Sequence, residues 1–113
     1  GVSRNLLTLI TDTLEDKKAQ NITVIDFKNT SPICDYFVIC DAQSTRQMNA
    51  IFQDVEKAII EAGFEVNHQT NAPETKWLII DAVDVVVHIF QSEERNHYDL
   101  EKLYKEYVRD GVL

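Results

Sequence analysis

The sequence predicts a single mixed α/β domain, with about five strands in one sheet flanked by helices. Three observations carry that prediction. The chain has 113 residues, a length that suits one domain and leaves little room for a second. Its apolar residues recur at helical spacing in some stretches and as alternating or near-continuous short runs in others. No internal repeat, low-complexity tract or Gly/Ser linker divides it.

Ser3 is a candidate cap for a first helix, whose apolar positions Leu6, Leu7, Ile10, Thr13 and Leu14 fall at helical spacing. Lys17 and Lys18 near its end suit the helix dipole. Residues 22–27 read as a strand rich in β-branched side chains, followed by a turn cluster at Asn29, Thr30, Ser31 and Pro32. Residues 35–40 form a nearly continuous apolar run, the pattern of a central strand buried on both faces. Ser44-Thr45-Arg46-Gln47 is a capping box that opens a second helix. Met48, Ile51, Phe52, Val55, Ile59 and Ala62 make one core-facing stripe along it, and Gly63 is placed to end it. Residues 64–68 alternate as a short strand, and residues 69–76 are a polar loop.

Residues 77–81 and 84–90 are separated by only Ala82 and Val83, which implies an antiparallel hairpin. A two-residue loop would set Asp81 opposite Asp84, Ile79 opposite Val86 and Trp77 opposite His88. Alternation then gathers Trp77, Ile79, Asp81, Asp84, Val86, His88 and Phe90 on one face. Leu78, Ile80, Val85, Val87 and Ile89 occupy the other face, which is wholly aliphatic and is the expected core side. The first face mixes aromatic, acidic and imidazole groups, which a buried face seldom carries. Ser92 is a candidate cap for a last helix, with Glu93 and Glu94 in its first turn. Tyr98, Leu100, Leu103, Tyr104 and Tyr107 continue it, and residues 108–113 read as a frayed tail.

Charge narrows the function classes. With 19 Asp plus Glu against 11 Lys plus Arg, the formal net charge is −8, which weighs against a phosphate-gripping nucleic-acid binder. A basic partner is the better match, since complementary potentials speed association and reject wrong partners. The longest apolar runs are far shorter than the ~20 residues of a membrane span, and no membrane association is expected. The N-terminal residues lack a basic region followed by an apolar one, so no secretory signal is expected. Cys34 and Cys40, spaced C-x5-C, fit neither a redox pair nor a zinc knuckle, and read as reduced core residues of a cytoplasmic protein.

No catalytic constellation survives inspection. Asp81 and Asp84 are close but flank a turn, whereas two-metal chemistry wants strand-borne carboxylates with a Gly-rich phosphate loop. The three glycines, Gly1, Gly63 and Gly111, make no such loop. His68, His88 and His97 show no ligand spacing, so no metal or other cofactor is expected. Cys34 and Cys40 lie in or beside a buried strand, away from the reach a Cys–His nucleophile pair needs. Trp77 at a strand start can be half-buried packing or an interface anchor. Its grouping with His88, Phe90, Arg95 and Tyr98 favours the anchor, because Trp, Tyr and Arg dominate interface hot spots. Asp81, Asp84, Glu93 and Glu94 would give that patch an acidic rim.

Asp35-Tyr36-Phe37-Val38-Ile39, then Ser44-Thr45-Arg46-Gln47, then Trp77 with Asp81 and the run Asp84-Val85-Val86-Val87-His88-Ile89-Phe90 follow an order that resembles the ribosomal silencing factor (Iojap-related) family. Glu93, Arg95, Tyr98 and Leu100-Glu101-Lys102-Leu103 continue the match, which spans about residues 6–104. The resemblance implies a fold similar to nucleotidyltransferases without their active site, and a translation repressor with no enzymatic activity. It implies binding to a basic large-subunit ribosomal protein, the fourteenth in the universal naming, with little direct nucleic-acid contact. That binding would sterically block subunit association when nutrients are scarce. The same docking site would serve a large-subunit assembly factor, the role of mitochondrial relatives, and a residual nucleotide-binding or transferase activity is a further alternative. The expected partner contacts are Trp77, His88, Phe90 and Tyr98 as the apolar centre, with Asp81 and Arg95 as polar contacts. The same face could pair with a second copy in the free protein. Ala42 and Val83 stand where the family usually has Gly, and Tyr104 where it usually has Trp.

Overall fold

Helix α1 (Val2–Asp16) leads into strand β1 (Gln20–Asp26) and strand β2 (Tyr36–Ala42), followed by helix α2 (Thr45–Glu61). Strands β3 (Trp77–Asp81) and β4 (Val85–Gln91) and helix α3 (Ser92–Tyr98) complete the order. The structure is a computed structural model and describes residues 2–28, 34–67 and 75–98. Expectations for residues 29–32, 68–74 and 99–113 lie outside the described residues, as do the side chains of His97 and Tyr98.

The four strands form one mixed sheet in the order β1-β2-β4-β3. The central pair β2–β4 is parallel, and the edges β1 and β3 pair antiparallel with their neighbours. A parallel pair needs a crossover, and the connection from β2 to β4 carries α2 and β3. Among the described residues the sheet has four strands, where about five are expected. Residues 64–67 form no strand: Asn67 alone makes an isolated bridge to Asp81, donating its amide to the Asp81 carbonyl at 2.8 Å. Phe64 and Val66 are drawn onto the helix-side core instead, which takes their side chains without a second ladder.

Helices α1 and α2 cover one sheet face. Leu6, Leu7, Ile10 and Leu14 of α1 and Met48, Ile51, Val55 and Ile59 of α2 are buried against Val38, Cys40, Leu78, Ile80, Val85, Val87 and Ile89. The aliphatic side of the hairpin is thus the core side, as its alternation predicts. Cys34 and Cys40 are both buried free thiols.

The helix ends explain themselves. Ser44 Oγ accepts from the Gln47 amide at 3.1 Å, and Gln47 Oε1 reaches back to the Gln43 amide at 3.3 Å, one residue earlier than the standard box. At the other end Phe64 donates to the Ile59 carbonyl and Gly63 to that of Ile60, with Gly63 at φ 90°, a Schellman cap. α1 closes the same way through Lys18, at φ 62°, with Ala19 donating to Leu14. α1 starts at Val2, so Ser3 is a buried residue of its first turn and not its cap. Ser92 likewise starts α3 without capping it; the Gln91 side chain accepts from the Glu93 amide at 3.1 Å, while the Ser92 hydroxyl turns to Asp41.

The hairpin register differs from the expectation by two residues. Asp81 opposes Val86, Ile79 opposes His88 and Trp77 opposes Phe90. The turn residues are Val83 and Asp84, closed by Ala82 N–H to Val85 C=O at 3.0 Å and Asp84 N–H to Ala82 C=O at 2.8 Å. Val83 adopts φ 68°, and Asp81 Oδ1 accepts from its amide at 3.0 Å. Side chains alternate with period two, so an even shift leaves every residue on its expected face.

Candidate partner-binding face

The sheet face opposite α1 and α2 is organised in rows that run across all four strands. Ile25, Phe37, Val86 and Asp81 form the first row, and Thr23, Ile39, His88 and Ile79 the second. The third runs from Gln20 through Asp41 and Phe90 to Trp77. The mixed composition noted along the hairpin therefore extends onto β1 and β2.

Aromatic contacts link these rows. Trp77 stacks on Phe90 with centroids 5.0 Å apart and 24° between planes, and its ring lies 5.7 Å from that of His88. His88 lies 4.7 Å from Phe37, which meets Phe27 edge-on at 4.9 Å. Ile25, Phe27, Cys34, Ile39 and Phe90 are buried as a second, smaller core on this side. Trp77, Ile79, Val86 and Phe37 are half-buried.

The Trp77 indole Nε1–H donates to His88 Nδ1 at 3.1 Å. An indole nitrogen can only donate, so Nδ1 is the acceptor and the proton of the neutral ring sits on Nε2. His88 is 6% exposed, and burial pushes its pKa down to about 4. Its Nε2 is buried and has no hydrogen-bond partner among the described residues.

The five expected contact residues whose side chains are described, Trp77, Asp81, His88, Phe90 and Arg95, do not form one exposed patch. Trp77 and Asp81 are half-buried at the two ends of edge strand β3. Asp81 is spent on structure, capping the turn through Oδ1 and accepting from Asn67 Nδ2 through Oδ2 at 3.4 Å. His88 and Phe90 are buried beside and beneath Trp77. Tyr98 ends α3.

Arg95 is turned into the protein. Its Nη1 donates to Asp41 Oδ2 at 2.8 Å and to the Asn21 carbonyl at 2.6 Å, and its Nη2 to Thr23 Oγ1 at 3.0 Å. The Asn21 carbonyl is available because β1 carries an extra residue between Gln20 and Thr23, with Asn21 at φ 52°. Asp41 is not among the residues that the sequence marks as contacts. The available signal is an acidic residue closing the apolar run of β2, a position where a carboxylate needs a cation.

Among the described residues no group of three or more His, Cys, Asp or Glu side chains is placed to hold a metal ion. Burial and the nearby Asp35, Asp81 and Asp84 carboxylates push the Cys34 thiol up, and burial pushes Cys40 up to about 12. Both are therefore poor nucleophiles at neutral pH. Among the described residues no helix is long and apolar enough to cross a membrane. The arrangement presents a half-buried apolar strip with carboxylates at one end, which suits recognition of a macromolecular surface.

A family model described as ribosomal silencing factor during starvation matches residues 2–111. The chain is 37% identical over 102 residues to the ribosomal silencing factor RsfS of Halalkalibacterium halodurans, covering 90% of this chain and 87% of that protein. It is 35% identical over 101 residues to the RsfS of Bacillus subtilis, covering 89% and 86%. A crystal structure of a Bacillus halodurans protein superposes with TM-score 0.82 at 34% identity, covering 96% of this chain and 99% of that one. Matched in sequence over nearly its whole length and in fold over the same span, the chain belongs to the ribosomal silencing factor family.

Proposed function

We propose that this protein represses translation by docking on a basic protein of the large ribosomal subunit, the fourteenth in the universal naming, and sterically blocking association of the two subunits. The observation that carries the reading is the half-buried strip of Phe37, Trp77, Ile79 and Val86 on the sheet face away from the helices, bordered by Asp35, Asp81 and Asp84, in a chain of net charge −8. An aromatic centre supplies affinity and an acidic border steers a basic partner. Direct nucleic-acid contact is minor in this reading, and no chemistry is involved: the fold is a nucleotidyltransferase-like sheet put to use as a wedge. It acts where ribosomes are, in the cytoplasm.

Trp77 and Asp81 touch the partner in this reading, His88 and Phe90 hold Trp77 from behind, and α3 contributes Tyr98, with Arg95 acting through the helix it anchors. When free, the protein can pair with a second copy through the same strip. The test is co-sedimentation with large subunits at two salt concentrations, comparing the native protein with Trp77→Ala and with the double charge reversal Asp35→Lys/Asp84→Lys. Binding that salt weakens and both variants lose supports the reading. Undiminished binding by folded variants moves the site elsewhere, and no binding by the native protein overturns it.

A further inference from the structure

Arg95 belongs, by residue type, among interface anchors, yet its side chain is only 11% exposed and its guanidinium is engaged by Asp41, Asn21 and Thr23. Asp41 is the centre of that arrangement. It lies on central strand β2 and is 1% exposed, and three donors from two other elements converge on it. Arg95 Nη1 and Asn21 Nδ2 reach Oδ2 at 2.8 and 3.1 Å, and the Ser92 hydroxyl reaches Oδ1 at 2.8 Å. Ser92 and Arg95 are residues of the same α3, one turn apart on one side of the helix.

Two bonds one turn apart define both the azimuth and the axial position of a short helix. Apolar packing is non-directional and does this poorly, whereas a charge-assisted pair is strict about geometry. An ion pair taken out of water adds little net stability, so its use is better sought in specifying one arrangement.

Building on the proposed docking function, in which α3 forms part of the binding face, we propose that Asp41 is a positioning residue for ribosome binding. It acts through Arg95 and Ser92 to hold α3 in the orientation that docks, and Arg95 serves the interface through this clamp without touching the partner.

A double-mutant cycle on large-subunit affinity tests this, using the full chain with Asp41→Asn, Arg95→Ala and the pair together. Each single variant is expected to weaken binding about ten-fold, and the double variant no more than the weaker single. Arg95→Lys, which keeps the charge, is expected to recover part of the loss. Hydrogen exchange is read alongside: amides of 92–98 are expected to exchange faster while those of β2 and β4 keep their protection, a local signature that general destabilisation would not give. Should Asp41→Asn fail to fold, Ser92→Ala removes one bond and leaves the ion pair, with a smaller loss expected in the same two readouts. Losses that add in the double variant, or native affinity in Asp41→Asn or Ser92→Ala, would overturn the proposal. If the native protein does not bind large subunits, the docking function fails first, and unchanged exchange in α3 would separately overturn the clamp.

Discussion

The Trp77 indole N–H and His88 Nδ1 are hydrogen-bonded at 3.1 Å across neighbouring strands, although Trp77 opposes Phe90 in the ladder. The contact is diagonal, and it couples the half-buried ring of the edge strand to a buried imidazole. Its consequences for stability can be stated with sign and size.

Trp77→Phe keeps a ring against Phe90 but leaves His88 Nδ1 buried without its donor. A loss of about 1–3 kcal/mol is expected, and Trp77→Ala is expected to cost more because the stack goes as well. Urea denaturation followed by far-UV circular dichroism measures both, and a Trp77→Phe variant as stable as the native protein would show the bond to be dispensable.

Stability is expected to fall in acid because of His88. Its folded pKa is about 4, below the ordinary value of ~6.5, so between those limits the unfolded chain binds the extra proton. Stability therefore rises with pH through this window and is flat in this contribution above it. The full span amounts to about 3 kcal/mol, lost as pH falls from roughly 6.5 to 4. Denaturant midpoints at pH 7, 6 and 5 check the slope, and His88→Asn, which does not titrate there, is expected to flatten it.

Val83 holds a β-branched residue at φ 68° in the β3–β4 turn, 42% exposed. Left-handed backbone costs such a residue about 1–2 kcal/mol, which glycine avoids at some entropic cost. Val83→Gly is expected to gain about 0.5–1 kcal/mol, seen as a higher melting temperature. Lys18→Gly, at the left-handed cap of α1, is expected to act in the same direction. A lower melting temperature in Val83→Gly would mean that the side chain contributes packing that outweighs the strain.

Cys34 and Cys40 are expected to resist thiol reagents in the native state at pH 8, since burial raises both pKa values. Both should react fully once the chain is unfolded in guanidinium chloride. Labelling with a chromogenic disulfide reagent gives the answer, and fast native labelling of either thiol would contradict its burial.

Local pattern was enough for much of this. The Ser44 cap and the glycine stop at Gly63 each depend on residues within one or two helical turns, and both are found; the expected stripe along α2 is buried at Met48, Ile51, Val55 and Ile59, while Phe52 is half-buried and Ala62 is exposed. The split of the hairpin into an aliphatic and a mixed face was equally legible, because period-two alternation survives an even register shift. The family was legible for a similar reason, since its motifs are runs of neighbouring residues.

What tertiary structure decided is pairing at a distance. Whether residues 64–67 join a ladder depends on a neighbouring strand offering an edge, and only Asn67 finds one. The mixed face contains no mark along its own strands that His88 and Phe90 would be buried while Trp77 stays half-buried; β2 and its neighbours supply that cover. Arg95 reads in isolation as a surface anchor, yet a carboxylate 54 residues away at Asp41 claims its guanidinium. Alternation and capping are short-range geometry, so the chain alone determines them. The choice of partner for a charge or a strand edge is settled only where the folded chain brings distant segments within hydrogen-bond reach.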